Sequence, residues 1–230
     1  MRAPRPARPR GRGDREREPL PALRPAGNDG QARLSFELYL VRHGETEWSL
    51  AGRHTGSTDL PLTSRGEERA SALAGRLHGI DFDVAYSSPL QRARRTGELA
   101  GFPTASITEL LREVDYGRYE GLTTAQIHES QPDWELYADG CPGGETPAQI
   151  YARAEAFVEL ATTTSTTTTT TTTDRRVIAF AHGHILRAVA VAWIQADITV
   201  APRLFLDVAS LSILRERDPH GRVVALWNET

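Results

Sequence analysis

Residues 36–45 read Phe-Glu-Leu-Tyr-Leu-Val-Arg-His-Gly-Glu, a short apolar run that ends in an arginine and a histidine. A run of this length is typical of a buried strand, so Arg42 and His43 are expected where that strand meets solvent. A guanidinium presents a planar fork of donors that matches phosphoryl oxygens, and an imidazole is able to attack phosphorus near neutral pH. The stretch therefore predicts phosphate chemistry.

Short apolar runs recur along the chain and alternate with helical patterns. Runs at 84–86 and 177–181 are each followed by polar residues and then by a helical segment. This alternation predicts an α/β fold, a three-layer sandwich with a mostly parallel central sheet. At the carboxyl end, residues 204–215 and 223–227 flank a turn sequence and predict an antiparallel hairpin at the sheet edge.

Two helix starts are predicted from local chemistry. Ser88-Pro89-Leu90-Gln91 and Thr146-Pro147-Ala148-Gln149 each read as a capping box with proline at the first helical position. Ser88 is accordingly interpreted as a helix cap. Ligands bind beyond the carboxyl ends of parallel strands, so the loops that follow the three strands are expected to form one pocket.

Composition predicts one domain over residues 34–230 of the 230-residue chain. Residues 1–33 hold nine arginines against four acidic residues and are interpreted as a disordered extension, with an organelle-targeting peptide as the alternative. Residues 162–173 are almost all threonine, a poor helix former, and predict a flexible connection.

Charge and residue usage exclude several functions. The net charge is −3 although the first 33 residues are basic, so the remainder is acidic and disfavours nucleic-acid binding. The chain has no lysine, which excludes a Schiff-base enzyme and a lysine-dependent P-loop. The single Cys141 fits a reducing compartment, and no apolar run is long enough for a membrane span; we therefore expect a cytoplasmic protein.

Several motifs occur in the order known from one family. They are Leu40-Val41-Arg42-His43-Gly44-Glu45-Thr46, Gly52-Arg53-His54-Thr55-Gly56, Leu60-Pro61-Leu62-Thr63, Ser87-Ser88-Pro89-Leu90 with Arg92, Ala93 and Thr96, Glu113 ahead of Tyr116-Gly117, Glu120-Gly121, Gly143-Gly144-Glu145-Thr146 and Ala181-His182-Gly183-His184. From about residue 38 to residue 214 the chain resembles the histidine phosphatase superfamily, phosphoglycerate mutase-like branch. Within it, the chain looks like the subgroup of bacterial broad-specificity acid phosphatases and fungal sedoheptulose-1,7-bisphosphatase.

The resemblance implies catalytic roles. His43 would be the nucleophile that becomes phosphohistidine, and Arg42, Arg92 and His182 would bind the transferred oxygens. The ring nitrogen of His43 that does not attack is expected to form a hydrogen bond with a backbone carbonyl. Glu113 matches the general acid, which needs a raised pKa, with Asp115 and Glu120 as alternatives.

The resemblance also implies substrate-binding residues beyond Arg42 and Arg92. They are Ser49, Thr55, Gly56, Tyr116, Gly183 and His184. Ser49 stands where many relatives have asparagine, and its hydroxyl could still donate to a phosphoryl oxygen. Arg53 and Arg118 are candidates for a second anionic group of the substrate, and His54 is either a pocket residue or a surface residue.

The predicted function is hydrolysis of small phosphomonoesters, such as sugar phosphates, sugar bisphosphates or phosphoglycerates, through phosphohistidine. The alternative is a phosphoglycerate mutase, which residues 119–149 disfavour because they contain acidic side chains and no arginine. Lower alternatives are a metal-dependent hydrolase, suggested by the His182-x-His184 spacing, and a non-catalytic phosphate-binding relative. We expect no metal or cofactor. The expected partner is a small-molecule phosphate ester, without nucleic acid or membrane, and a homodimer is possible.

Overall fold

Six strands form one sheet in the computed structural model, which describes residues 35–163, 174–217 and 220–230. The strands are β1 Ser35–Arg42, β2 Val84–Ser87, β3 Ser106–Ile107, β4 Asp174–Ala181, β5 Leu211–Arg217 and β6 Gly221–Glu229. Their order is β3-β2-β4-β1-β5-β6. The first four are mutually parallel, and β5 and β6 form an antiparallel hairpin beside β1. The predicted mostly parallel sheet and the hairpin are confirmed.

Helices cover both faces of the sheet. They are α1 Glu47–Leu50, α2 Ser64–Leu77, α3 Gln91–Leu99, α4 Thr124–His128, α5 Leu136–Asp139, α6 Pro147–Thr163 and α7 Gly183–Trp193, with 3₁₀ turns at Glu109–Leu111, Gly117–Tyr119 and Ile198–Arg203. Alternate residues of β1 point to opposite faces, as strand geometry requires. Leu38 and Leu40 share a core with α6 and α7, whereas Tyr39 and Val41 share a second core with α2. The predicted three-layer α/β fold is therefore confirmed.

Of the two predicted capping boxes, one is correct. Thr146 and Gln149 exchange hydrogen bonds, and Pro147 is the first residue of α6. The other is wrong, because α3 begins at Gln91 after an N-cap at Leu90 that makes no side-chain hydrogen bond. The N–H of Gln91 is instead satisfied by Oδ1 of Asp59, 2.8 Å away, from a different loop.

Other elements also differ from the prediction. The strand predicted over 204–215 begins only at residue 211, because Ala209 has a positive φ of 54° that interrupts the extended backbone just before it. Strand β3, with only two residues, was not predicted. Helix α6 continues through Thr162 and Thr163, whose hydroxyls donate to carbonyls of the preceding turn. The predicted extension 1–33 and the rest of the threonine tract lie outside the described residues.

Within the described ranges, no helix combines the length and the apolar character needed to cross a membrane.

Candidate active site

Two histidines lie side by side because they follow neighbouring parallel strands. His43 comes directly after β1 and His182 directly after β4, and Arg42 is paired in register with Ala181. The backbone N–H of His43 donates to the Ala181 carbonyl over 2.9 Å. Both side chains are buried, and their ring centroids are 5.1 Å apart. The predicted convergence of the two loops is therefore present.

The hydrogen bond of His43 defines which ring nitrogen is free. Nδ1 lies 2.7 Å from the carbonyl oxygen of Gly44, and a carbonyl can only accept, so Nδ1 carries the proton. Burial, together with the positive charges of Arg92 and Arg42, holds the pKa of His43 well below its usual range. The imidazole is therefore neutral, and Nε2 has an unprotonated lone pair. This is the carbonyl contact expected from the sequence.

In the ring of His182 the proton lies on the other nitrogen, Nε2. Nε of Arg92 donates to its Nδ1 over 3.1 Å, so Nδ1 is the acceptor. Burial and the charge of Arg92 lower the pKa of His182, which places the remaining proton on Nε2. Nε2 lies 2.7 Å from Oγ of Ser88. Ser88 thus contacts the ring of His182, and its predicted role as a helix cap is wrong.

The guanidinium of Arg92 is fully buried, although it is charged. Its Nη1 donates to the carbonyl of Thr58 over 2.9 Å, and its Nη2 donates to the carbonyls of Thr55 and Gly56 over 2.9 and 3.1 Å. Backbone carbonyls therefore offset the cost of burying this cation. Thr55 and Gly56 contact Arg92 through these oxygens, while the Thr55 hydroxyl donates to the carbonyl of Arg53.

Arg42 projects from the end of β1 toward the first turn of α7. Its Nη1 donates to the carbonyl of Leu206, and its buried Nε has no hydrogen-bond partner among the described residues. A Cβ at Gly183 would lie 3.3 Å from this Nε. Glycine at this position therefore leaves room for the guanidinium against the amino end of α7.

The carboxyl group of Glu113 is buried and accepts three backbone hydrogen bonds. Oε1 accepts from Val114 and Ile185, and Oε2 accepts from His184 over 3.1 Å. Burial alone would raise the pKa of Glu113, but hydrogen bonds from His184 hold it well below its usual range. The raised pKa expected from apolar neighbours in the sequence is therefore absent, because amide N–H groups face the carboxylate.

Neither alternative acid is free for this role. Oδ1 of Asp115 accepts from the backbone N–H of Gly117 within its own exposed turn. The carboxylate of Glu120 accepts from Gly56 and Thr58 and so braces the loop that holds Arg92. Glu113 is favoured among the three because its carboxylate bonds to the first turn of α7, directly after His182.

Aromatic side chains gather around His184 beside this carboxylate. Oη of Tyr116 lies 2.6 Å from Nδ1 of His184, and Oη of Tyr137 donates to the His184 carbonyl over 2.9 Å. The ring of His54 lies 4.8 Å from that of Tyr116. Burial and the neighbouring His184 lower the pKa of His54 to about 4. His54 therefore belongs to this cluster as an uncharged ring.

The structure does not bring three of the predicted residues to the phosphate site. Oγ of Ser49 accepts from the N–H of Thr46 and donates to its carbonyl, which completes the cap of α1. Nη1 of Arg53 donates to the carbonyl of Gly121. Arg118 is exposed on a 3₁₀ turn. A hydroxyl with two backbone partners within one turn is a cap, so the departure from asparagine at Ser49 has a local explanation.

Two polar residues support the site although no role was predicted for them from the sequence; one of them, Thr96, stands in the quoted motif that includes Arg92. Oγ1 of Thr96 accepts from the N–H of Gly44 over 3.0 Å and donates to the carbonyl of Arg92, which ties α3 to the loop of His43. Arg187 lies one turn along α7 from Gly183 and His184. Its buried Nε has no hydrogen-bond partner in the part of the chain that the structure describes. The spacing Gly183-x-x-x-Arg187 on a helix was the available signal.

No group of three or more potential metal ligands occurs within residues 35–163, 174–217 and 220–230. The two rings of His182-x-His184 are held separately, the first by Arg92 and Ser88 and the second beside Tyr116. The His182-x-His184 spacing therefore does not bring two free imidazoles together as ligands of one metal ion.

A family model described as histidine phosphatase superfamily (branch 1) matches residues 38–230. Over 182 residues the chain is 44% identical to an acid phosphatase of Mycobacterium tuberculosis (strain ATCC 25618 / H37Rv), with 78% of this chain and 86% of the relative covered. Over 184 residues it is 34% identical to a sedoheptulose 1,7-bisphosphatase of Saccharomyces cerevisiae, with 70% and 68% covered.

Solved structures show the same fold. The product of a Mycobacterium tuberculosis open reading frame superposes with a TM-score of 0.78 at 39% sequence identity, and the match covers 85% of this chain and 98% of that one.

Proposed function

The chain belongs to branch 1 of the histidine phosphatase superfamily, and we propose that it hydrolyses small phosphomonoesters through a phosphohistidine at His43. The single observation that carries this proposal is the bond from Nδ1 of His43 to the Gly44 carbonyl, because it leaves a neutral, unprotonated Nε2. Nε2 forms the bond to phosphorus as the bond to the ester oxygen breaks. Water then attacks the phosphohistidine and releases inorganic phosphate.

Three cationic or donor groups are placed to stabilise the phosphoryl oxygens as charge redistributes. Arg42 has an unpartnered Nε and lies against the amino end of α7. The guanidinium of Arg92 is oriented by backbone carbonyls, and the ring of His182, which lies beside that of His43, is oriented by Arg92 and Ser88. Donors fixed before the reaction need no reorganisation during it, and such preorganisation is the largest source of rate in reactions of this kind.

Glu113 supplies the proton for the leaving oxygen in this proposal and accepts one from the attacking water. In the free protein its carboxyl group is ionised. A phosphate dianion bound beside it raises its pKa, because a second negative charge disfavours the carboxylate. Substrate binding therefore brings the acid toward the protonation state that the first step needs.

The charges of residues 119–149 favour a hydrolase over a mutase. A mutase must retain a phosphorylated product, which favours extra cations over the pocket, whereas residues 119–149 have no arginine or lysine. The relative that is 44% identical is an acid phosphatase, which supports hydrolysis, whereas phosphoglycerate mutases match at 32% and 33% identity. A phosphoglycerate mutase is the second candidate.

Substrates with a second anionic group are favoured by Arg187. It shares a helix face with His184, and these two are the residues of α7 that are not fully buried. A side chain on a helix leans toward the amino end, which places the guanidinium of Arg187 toward Gly183 and Arg42. Its unpartnered Nε is therefore available to a carboxylate or second phosphate, as found in phosphoglycerates and sugar bisphosphates.

The test combines a phosphate-release screen with trapping of the intermediate. Sugar phosphates, sugar bisphosphates, phosphoglycerates and aryl phosphates are assayed for hydrolysis, with mutase activity measured in parallel. We expect turnover and an acid-labile phosphoenzyme that disappears in His43→Asn, while the folded state persists. Net transfer between positions of phosphoglycerate without release would instead assign the mutase. An active His43→Asn variant would overturn the nucleophile.

A further inference from the structure

The motif Gly143-Gly144-Glu145 takes no part in the phosphate chemistry above, yet it packs against the loop that carries Glu113. A Cβ at Gly144 would lie 2.2 Å from the carbonyl oxygen of Asp115 and 2.7 Å from the nitrogen of Gly117. Only glycine therefore lets these two backbone segments touch. The N–H of Glu145 then donates to the carbonyl of Asp115 over 2.9 Å.

The side chain of Glu145 adds a second bond to the same loop and recruits an arginine from α6. Its Oε2 accepts from the N–H of Asp115 over 2.9 Å. Oε1 and Oε2 also accept from Nε and Nη2 of Arg153, at 2.9 and 2.7 Å. The pair is bidentate, and its side chains are only 17% and 19% exposed, so solvent screens it less than a surface pair.

The remaining donors of Arg153 reach the other side of Glu113. Nη1 donates to the carbonyls of Leu110 and Arg112 over 3.1 and 2.6 Å, and Nη2 reaches the carbonyl of Glu113 itself at 3.5 Å. Together with the bonds of Glu145 to Asp115, one ion pair thus holds the backbone on both sides of the acid. We call Arg153 and Glu145 the clamp.

We propose that the clamp positions the carboxyl group of Glu113 for protonation of the leaving oxygen. This inference rests on the proposed function, in which Glu113 is the acid. A misplacement of about 1 Å is enough to cost a hundredfold in rate, so fixing the backbone of an acid has a direct kinetic effect. Arg153 and Glu145 touch neither substrate nor phosphoryl group; they are positioning residues.

Esters that differ in their leaving groups separate this role from simple stabilisation. Alkyl phosphates have poor leaving groups and need the proton, whereas activated nitrophenyl phosphates need it much less. A purely structural ion pair would slow both classes equally or would lower only the melting temperature. Loss of the clamp is expected to slow the alkyl esters selectively, which is also the effect expected of Glu113→Gln.

The experiment compares kcat/KM over a series of phosphomonoesters of increasing leaving-group pKa. For Arg153→Gln we expect a loss on alkyl phosphates about tenfold to a hundredfold larger than on dinitrophenyl phosphate, and the same direction in Glu145→Gln. Arg153→Lys keeps the charge without the fork and is expected to lie between wild type and Arg153→Gln. If Arg153→Gln does not fold, the lysine and Glu145→Gln variants decide.

Arg112→Gln is the matched control. Arg112 lies in the same loop, and its side chain pairs with Glu109 in a largely exposed ion pair. It is expected to retain the wild-type dependence on the leaving group. Equal losses on all esters in the clamp variants, or no loss, would overturn the positioning role. Absence of turnover or of phosphohistidine in the wild type would instead refute the proposed function, so the two failures are distinguishable.

Discussion

Nε of Arg92 donates a hydrogen bond to Nδ1 of His182 over 3.1 Å. Arginine has no acceptor, so this bond leaves Nδ1 unprotonated and orients Nε2–H of His182 toward Ser88. A residue of α3 thereby sets the proton position of a residue that follows β4. The arrangement of donors around His43 depends on this contact as much as on charge.

Arg92→Lys tests whether charge alone suffices. Lysine keeps a positive charge but lacks the fork that bonds Thr55, Thr58 and His182, so donors around the phosphoryl group lose their orientation. We expect kcat/KM for phosphomonoesters to fall about a hundredfold. Arg94→Lys, on the exposed face of the same helix, is the control and keeps wild-type kinetics. Near-normal activity in Arg92→Lys would show that the fork is dispensable.

Ser88→Ala removes the partner of Nε2 of His182. A buried hydrogen bond of this kind contributes on the order of 1–2 kcal/mol, so kcat is expected to fall about tenfold with KM little changed. Ser71→Ala serves as the control, because the exposed hydroxyl of Ser71 donates to the carbonyl of Glu67 within α2. Unchanged kcat in Ser88→Ala would remove Ser88 from the site.

Gly66→Ala tests the contact of α2 with the signature loop. A Cβ at Gly66 would lie 2.2 Å from the carbonyl oxygen of Glu45, two residues after His43. Because backbone must move, we expect a loss of about 1–3 kcal/mol in unfolding free energy and a lower kcat. Gly75→Ala in the same helix meets open space and is expected to stabilise by about 0.5–1 kcal/mol. Denaturant titration of both variants measures the contrast.

Buried histidines give the protein a defined pH dependence of stability. Burial lowers the pKa of several of them below the unfolded value; they are His43, His54, His182 and His184. The unfolded chain binds protons below about pH 6.5 that the folded protein excludes, so the unfolding free energy falls as pH falls. The slope is about 1.4 kcal/mol per pH unit for each such histidine.

The pH dependence is measured by urea titration between pH 7 and pH 5. Glu113 acts in the same direction at lower pH, because its lowered pKa contributes stability that is lost as the carboxylate protonates. His54→Asn is expected to flatten the slope, because burial lowers the pKa of His54 to about 4. A wild-type stability that rose toward pH 5 would contradict neutral buried imidazoles.

Arg187→Gln tests the recognition of a second anionic group. Losing a charged hydrogen bond is expected to raise KM about tenfold for sugar bisphosphates or phosphoglycerates and to leave kcat/KM for aryl phosphates unchanged. Arg118→Gln, the exposed candidate named from the sequence, is the comparison. A raised KM in Arg118→Gln and an unchanged KM in Arg187→Gln would instead assign the second anionic group to Arg118.

The strands were predictable from two independent signals. Each predicted strand is an apolar run, and polar residues follow it directly. Val41 and Phe180 belong to the same core face, and the residues after each strand meet at one edge. Because the strands pair in parallel, their carboxyl ends are neighbours at the same edge of the sheet. The tautomer of His43 followed from chemistry alone, because a neutral ring beside a carbonyl has one arrangement.

The failures have a common physical origin in contacts between residues far apart in the sequence. Ser88 reads locally as a cap, but its hydroxyl meets His182, 94 residues away. The apolar neighbours of Glu113 suggested a raised pKa, yet two of its amide partners, at His184 and Ile185, come from α7. Local patterns contain no information about such partners. The two-residue β3 and the irregular stretch before β5 were missed for the same reason.

The structure separates the residues that perform the chemistry from a segment that can be exchanged without moving them. His43 and His182 stand on neighbouring strands, whose spacing of about 4.8 Å is fixed by backbone bonding and not by side-chain choice. Residues 119–149 do not belong to these strands, and they contact the loop of Glu113 through Glu145 of the clamp. Exchange of this segment between relatives, with Gly144 and Glu145 retained, offers a route to new substrate preference at constant chemistry.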